Sequence, residues 1–222
     1  MINILLIGAG RFGIRIAQEL SKMNVQIMAV DRSEERVQMI EPYVTSAEIG
    51  DSTNKEFLKS LGIGNFDKCV VAIGDDYLAS LETTSLLKEL GAKYVFARAA
   101  KSMQENLLLR NGADEVVFPE KQMAEWSAMR VGSDNVFDYL ELSDGYAVYE
   151  IAVPPLWVGH SISDLNIRQK YHLNVLAVKN ETGMVITLGP EFVFSKDEIV
   201  LLLGSHEDIH RCFGKKAGRF AS

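Results

Sequence analysis

Residues 2–13 read Ile-Asn-Ile-Leu-Leu-Ile-Gly-Ala-Gly-Arg-Phe-Gly, an apolar run of strand length that breaks into the closely spaced glycines Gly8, Gly10 and Gly13. Such a glycine pattern alone is a weak signal. Here Phe12, Ile16, Leu20 and Met23 follow at near-fourfold spacing and predict an amphipathic helix opening out of the turn. A second apolar run, Val25–Val30, ends in Asp31, 18 residues past Gly13. Strand, glycine turn, helix, strand and terminal acid together form the dinucleotide fingerprint, and each part has its own physical reason. Gly8 makes the tight turn, Gly10 lets backbone approach a phosphate, and Gly13 lets helix and strand pack closely. Amides at the helix start then face the phosphates, and Asp31 can accept hydrogen bonds from ribose hydroxyls.

That motif points to an adenine nucleotide. A carboxylate at position 31 disfavours a 2′-phosphate, ranking NADP below NAD, AMP, ADP or ATP, with the neighbouring Arg32 pulling slightly the other way. Arg11 lies inside the turn. A guanidinium at a helix start opposes the helix dipole unless an anion offsets it, and arginine can grip a phosphate with two hydrogen bonds. The alternative is a solvated surface charge.

Working outward, residues 2–118 alternate apolar runs with helical spacing: Ile2–Ile7, Val25–Val30, Val44–Ile49, Lys68–Ile73, Tyr94–Ala97 and Glu115–Phe118 are the predicted strands. Several are continuous rather than alternating, as parallel strands covered on both faces require. Ser33 caps the next helix, Thr53-Asn54-Lys55-Glu56 forms a capping box, and Pro119 suits a first helical turn. A Rossmann-like, doubly wound parallel α/β sheet follows. Glu120–Val131 reads as a connecting helix with Met123, Trp126, Met129 and Arg130 near one side, and Gly132-Ser133-Asp134-Asn135 as a break. Beyond it, Phe137–Leu142, Tyr146–Val153, Val175–Val178, Met184–Leu188 and Ile199–Leu203 read as strands. With helices near Ile162–Tyr171 and His206–Phe213 they form a smaller α+β domain. The expected division is therefore 1–120, a linker over 121–134, a second domain over 135–214, and a solvated tail over 215–222.

Further candidates fall at strand ends on the ligand side of such a sheet. Asp51 and Ser52 follow the third strand, where they could hold the adenine or merely precede a cap at Thr53. Ile73 and Gly74 end the fourth, and Gly74 lets a ligand lie close or makes a plain turn. Arg98 ends the fifth, reaching a phosphate or a surface ion pair. Glu120 follows the sixth, either complementing its own helix dipole or holding a divalent cation carried by the nucleotide.

Composition bounds the rest. The 222 residues are 47% apolar and 24% charged with a net charge of −7, ordinary for a globular protein. Residues 1–120 carry 13 basic and 17 acidic side chains and residues 121–222 carry 10 and 13, so neither half is a basic nucleic-acid module. No apolar stretch has transmembrane length, and Met1–Ala9 lacks the charged flank of a signal peptide. Cys69 and Cys212 match no pairing motif and suit a reducing cytoplasm. All four histidines lie in the second half; His206 and His210 are four apart but no third metal ligand is placed beside them. No acid–base pair for hydride transfer stands out, so the chain reads as a sensor that binds a nucleotide without transforming it. The rival readings are an NAD-dependent oxidoreductase and a nucleotide-dependent interaction module with no membrane partner.

The sequence resembles the regulator-of-potassium-conductance (RCK) proteins, also called TrkA-type subunits, and most of all the KtrA-type branch. The resemblance rests on Ile7–Gly13, Ala29-Val30-Asp31, Gly50-Asp51-Ser52-Thr53, Val71–Gly74, Gly112–Lys121, Asn135-Val136 and Leu140–Ser143. It implies an N-terminal lobe binding ATP, ADP or NAD(H), and a C-terminal lobe. It also implies a connecting helix packed across a dimer, and dimers assembled into a ring, usually octameric. That ring would dock on the cytoplasmic face of a potassium-conducting membrane subunit of the KtrB or TrkH kind, making this chain a nucleotide-sensing gating subunit rather than an enzyme. On matching positions, the resemblance implies that Arg11 meets terminal phosphates and Asp31 the ribose. Glu120 would approach a neighbouring subunit's nucleotide, through Mg²⁺ or another cation such as Ca²⁺ or Na⁺. It further implies a cyclic di-AMP site in the second lobe at Ile162, Asn166, Arg168 and Asn174, where this chain departs from relatives at Ser163 and Asn166.

Overall fold

In the computed structural model, which describes residues 1–132 and 135–213, the opening run Ile2–Ile7 is strand β1 at the centre of a six-stranded parallel sheet. Its four consecutive apolar residues are all buried because they serve two cores. Leu5 and Ile7 pack on one face with Leu58, Leu87 and Leu108, while Ile4 and Leu6 pack on the other with Ala17 and Ile40. Burying each such side chain contributes about 2 kcal/mol, so the absence of alternation is itself a stabilising feature.

The other strands are β2 (Val25–Asp31), β3 (Ser46–Ile49), β4 (Lys68–Val71), β5 (Val95–Arg98) and β6 (Glu115–Val117), in spatial order β3-β2-β1-β4-β5-β6. Between them run α1 (Arg11–Leu20), α2 (Glu34–Ile40), α3 (Lys55–Ser60), α4 (Tyr77–Glu89) and α5 (Ser102–Arg110), and α6 (Pro119–Gly132) follows β6. The order reverses between β1 and β4. That switch point opens a crevice beyond the carboxyl ends of the strands.

Four readings of this half are corrected. Helix α1 ends at Leu20, leaving Met23 outside it and 61% exposed; only Phe12, Ile16 and Leu20 of that stripe reach the core. The cap of α3 is Asn54, whose Oδ1 accepts from the Glu56 and Phe57 amides, because Thr53 is bonded to Asp51 instead. Strand β3 starts at Ser46 rather than Val44. Strand β4 ends at Val71, so Ile73 and Gly74 leave the sheet and form crevice wall. Ser33 caps α2 as expected, accepting from the Arg36 amide at 3.4 Å.

The chain divides into two compact units after Lys121. The second holds an antiparallel sheet of β7 (Val136–Glu141), β8 (Tyr146–Ala152), β9 (Asn174–Asn180), β10 (Gly183–Val185) and β11 (Ile199–Ser205), in order β10-β9-β11-β8-β7. Here burial alternates along β8 and β11: Ala147, Tyr149 and Ile151 point inward opposite Val200 and Leu202. One face is therefore packed, as antiparallel sheets allow. Helices α7 (Ile162–Leu165), α8 (Ile167–Tyr171) and α9 (His206–Phe213) complete the unit. The expected single helix near Ile162–Tyr171 is two, because Asn166 adopts φ 48° between them, a left-handed conformation that asparagine tolerates. The expected strand Met184–Leu188 shrinks to Gly183–Val185. Ser133, Asp134 and the tail read over 215–222 lie outside the described residues. Among the described residues no helix is long and apolar enough to cross a membrane.

Two outcomes test this packing. A Cβ on Gly13 would sit 1.9 Å from the Gly8 carbonyl oxygen, a backbone atom that cannot swing aside. Gly13→Ala is therefore expected to lose about 3 kcal/mol of stability in urea unfolding; an unchanged midpoint refutes the contact. Burial pushes the Cys69 and Cys212 thiols up to about 12. At pH 8 only roughly one in ten thousand of either is thiolate, so an aromatic disulfide reagent should react slowly with the native chain and rapidly after unfolding.

Candidate functional site

At the switch point, a crevice of about 150 Å³ is bounded by the chain leaving β1, β2, β3 and β4 and by the end of β5. Its floor is the glycine turn, whose three glycines have separate causes. Gly8 has φ +100°, which other residues rarely adopt, and Gly13 allows the close approach of α1. Gly10 caps α1 in extended conformation, and a Cβ added there would meet nothing within 4 Å. The fold needs glycine at 8 and 13 but not at 10. Position 10 borders the crevice, where only an incoming group would meet an added side chain.

Asp31 is where the structure says most beyond the sequence. Its carboxylate is buried, and Oδ2 accepts from the Ala9 amide at 2.7 Å while Oδ1 accepts from the Ser33 amide at 2.9 Å. It therefore ties the glycine turn to the start of α2 while still lining the crevice, with a lone pair on each oxygen left for another donor. Asp51 is fixed similarly. The Thr53 amide and hydroxyl both donate to its Oδ1 and hold it below the usual carboxylate range. The buried Ser52 hydroxyl is 2.8 Å from the Thr83 hydroxyl, joining the loop after β3 to α4.

Of the residues singled out in the sequence, Gly8, Gly10, Arg11, Asp31, Arg32, Asp51, Ser52, Ile73, Gly74 and Arg98 are brought together around this crevice. Phe12, Gly13 and Glu120 are not part of its lining. Phe12 lies beneath the Arg98 guanidinium at 5.3 Å, Gly13 packs on the turn, and Glu120, in the first turn of α6, forms an ion pair with Arg98. The sequence reading missed Arg36, Gly50, Asp75, Asp76 and Ala79. Only Asp76 had a signal, since it follows Gly74-Asp75 directly before a helix and caps α4 through the Ala79 amide.

Four arginines and four aspartates line the crevice. Arg32 stands 3.7 Å from Asp76 and Arg36 4.0 Å from Asp31, whereas Arg11 has no ion pair among the described residues. Arg11 is thus the guanidinium most ready for an anion, at a helix start with no acid in its first turn. Among the described residues no three His, Cys, Asp or Glu side chains are grouped to hold an ion.

In the second unit, Asn166 sits at the α7–α8 junction with its Nδ2 donating to Gln169 Oε1 at 3.0 Å. Arg168 and Asn174 are exposed, and Ile162 is half-buried against the core.

The TrkA-N domain matches residues 4–119 and the TrkA-C domain residues 147–213. The chain is 39% identical over 206 residues to the Ktr system potassium uptake protein C of Bacillus subtilis (strain 168), and 37% identical to protein A of the same system, covering 93% of each chain. Among solved structures, the GsuK channel bound to NAD superposes on 100% of this chain and 40% of its own with a TM-score of 0.68. At 16% identity that likeness speaks for the fold alone.

The double engagement of Asp31 yields a stability test independent of any ligand. Asp31→Ala strands the amides of Ala9 and Ser33 and should cost about 2 kcal/mol in denaturant unfolding. A variant as stable as the parent would show that the carboxylate is not structural.

Proposed function

The chain belongs to the family of potassium-uptake proteins that carry TrkA-N and TrkA-C domains, and from that membership we propose that it is a cytosolic regulatory subunit that reads an adenine nucleotide and gates a potassium-conducting membrane protein. The observation carrying this reading is Gly10, the one glycine of the turn that internal packing does not require, facing a crevice beside Arg11, which has no ion pair among the described residues. A phosphate approaching the amides of α1 at that point meets backbone, a guanidinium and the positive end of a helix. Asp31 keeps lone pairs for ribose hydroxyls while its other pairs hold the turn rigid.

ATP, ADP and NAD(H) all fit this description, and the GsuK channel, which shares the fold, has been solved with NAD. Gating follows from differential affinity. A nucleotide bound a hundredfold more tightly by one shape of the subunit biases that shape by about 2.7 kcal/mol per site, and a ligand bound equally by both does nothing. One extra phosphate beside Arg11 is a sufficient source of such a difference between ATP and ADP. The finer proposals extend the same reading. Lobes 1–120 and 135–214 pair through the connecting helix and assemble into an octameric ring on the cytoplasmic face of the membrane. A cation at Glu120 completes its coordination from the nucleotide or another chain. The second lobe takes cyclic di-AMP at Ile162, Asn166, Arg168 and Asn174.

The expected result is that calorimetric titration shows ATP, ADP or NAD binding to the native chain. In Gly10→Ala it should fall at least about tenfold, with the melting temperature changed by about 4 °C at most. Retained affinity in that variant would remove the nucleotide from this crevice. Potassium flux through the reconstituted system should differ between ATP and ADP, and equal flux with both bound ends the gating account.

A further inference from the structure

The sequence offers Arg98 and Glu120 as separate candidates, one for phosphate and one for a cation; their geometry joins them. Arg98 ends β5, lines the crevice, and keeps only 17% of its side chain exposed. Its guanidinium is confined by the Phe12 ring on one side and the backbone at Gly74 on another. A Cβ added at Gly74 would lie 2.2 Å from Nη1. Nη2 donates to Glu120 Oε1. The Nε–H is buried and has no hydrogen-bond partner among the described residues.

Nε and Nη2 lie on the same side edge of the guanidinium, the edge that grips a carboxylate or phosphate with two parallel hydrogen bonds. Glu120 therefore satisfies half of that edge and leaves the other half unmade, and a buried unmade donor is costly. An oxyanion in the crevice could bridge both positions. Glu120 can be released cheaply, because its side chain is 57% exposed and regains water on leaving.

We propose that Glu120 is a built-in competitor for the anion served by Arg98: the two carboxylate and phosphate partners exclude one another on the Nε–Nη2 edge, so ligand entry must displace Glu120, and the ion pair sets the threshold for binding. The proposal rests on the reading that the crevice receives a phosphate-bearing ligand. It goes beyond that reading by making Glu120 an antagonist of phosphate binding when no divalent cation is present.

The test is a double-mutant cycle in EDTA, with binding of ATP and of inorganic tripolyphosphate measured by calorimetry. Melting curves confirm that each variant is folded. Glu120→Gln should bind both probes three- to tenfold more tightly than the native chain, Arg98→Gln about tenfold more weakly, and the double variant like Arg98→Gln within twofold. Arg98→Lys, which keeps the charge but lacks the side edge, should also lose the gain from Glu120→Gln and serves if Arg98→Gln does not fold. An unchanged or weakened Glu120→Gln overturns the proposal. So does an equal gain in the Arg98→Gln background, which would mean that removing any negative charge suffices. If tripolyphosphate follows the cycle while ATP binds nowhere, the competition stands and the adenine nucleotide reading falls. If neither probe binds any of the proteins, both fall.

Discussion

The structure of the first unit depends on a missing methyl group. Gly13 brings α1 so near the end of β1 that a Cβ would collide with the Gly8 carbonyl, and nothing larger than hydrogen can stand there. That approach aims the first amides of α1 across the carboxyl ends of the strands, where the sheet reverses its order. Asp31 then clamps the turn from the neighbouring strand through the Ala9 amide, and Ser33 passes the same constraint to α2. The floor of the crevice is thus set by the fold before any ligand arrives. Preorganisation of this kind spares a binding event the cost of ordering the loop.

The second unit is held by different means. Its sheet buries one face only, and its core is aromatic: Trp157 packs against Tyr171, Phe194 and Phe213, and Tyr149 is fully buried with its hydroxyl bonded to His206. Burial raises the Tyr149 hydroxyl well above its usual range, so it stays a neutral hydrogen-bonding group throughout the pH range in which the chain folds. The first unit concentrates its polar groups at a mouth; the second builds one into its interior.

Much of this was readable in the sequence, for physical reasons. Continuous apolar runs give away strands covered on both faces, and a glycine pattern between strand and helix gives away the turn; hence β1, β2 and Asp31 were legible to within a residue, and α1 to within three at its end. Positions at strand ends were legible because sheet topology, not side-chain chemistry, places them at the crevice. The contributions of Arg36 and Asp75 were not, since a polar residue on a helix or in a loop does not show which way it faces until the chain is folded. Asp31 was read as a ligand contact alone because a bond to a backbone amide leaves no trace in residue types. The cap at Asn54 and the split at Asn166 were missed because one asparagine can cap, turn or sit on a surface, and tertiary contacts choose among these. The Arg98–Glu120 pair joins residues 22 apart on different elements, a distance over which spacing carries no signal.

The crevice is lined by as many carboxylates as guanidiniums, and three of the four arginines already have an acidic neighbour. Under the proposed competition, a phosphate reaching Arg98 would replace Glu120, exchanging one anion for another at the same cation. Mobile ions screen both sides of such an exchange, so most of their effect cancels there, whereas Arg11, with no ion pair among the described residues, would meet an anion with no such offset. Under that exchange, anion binding at Arg98 would respond less to ionic strength than anion binding at Arg11.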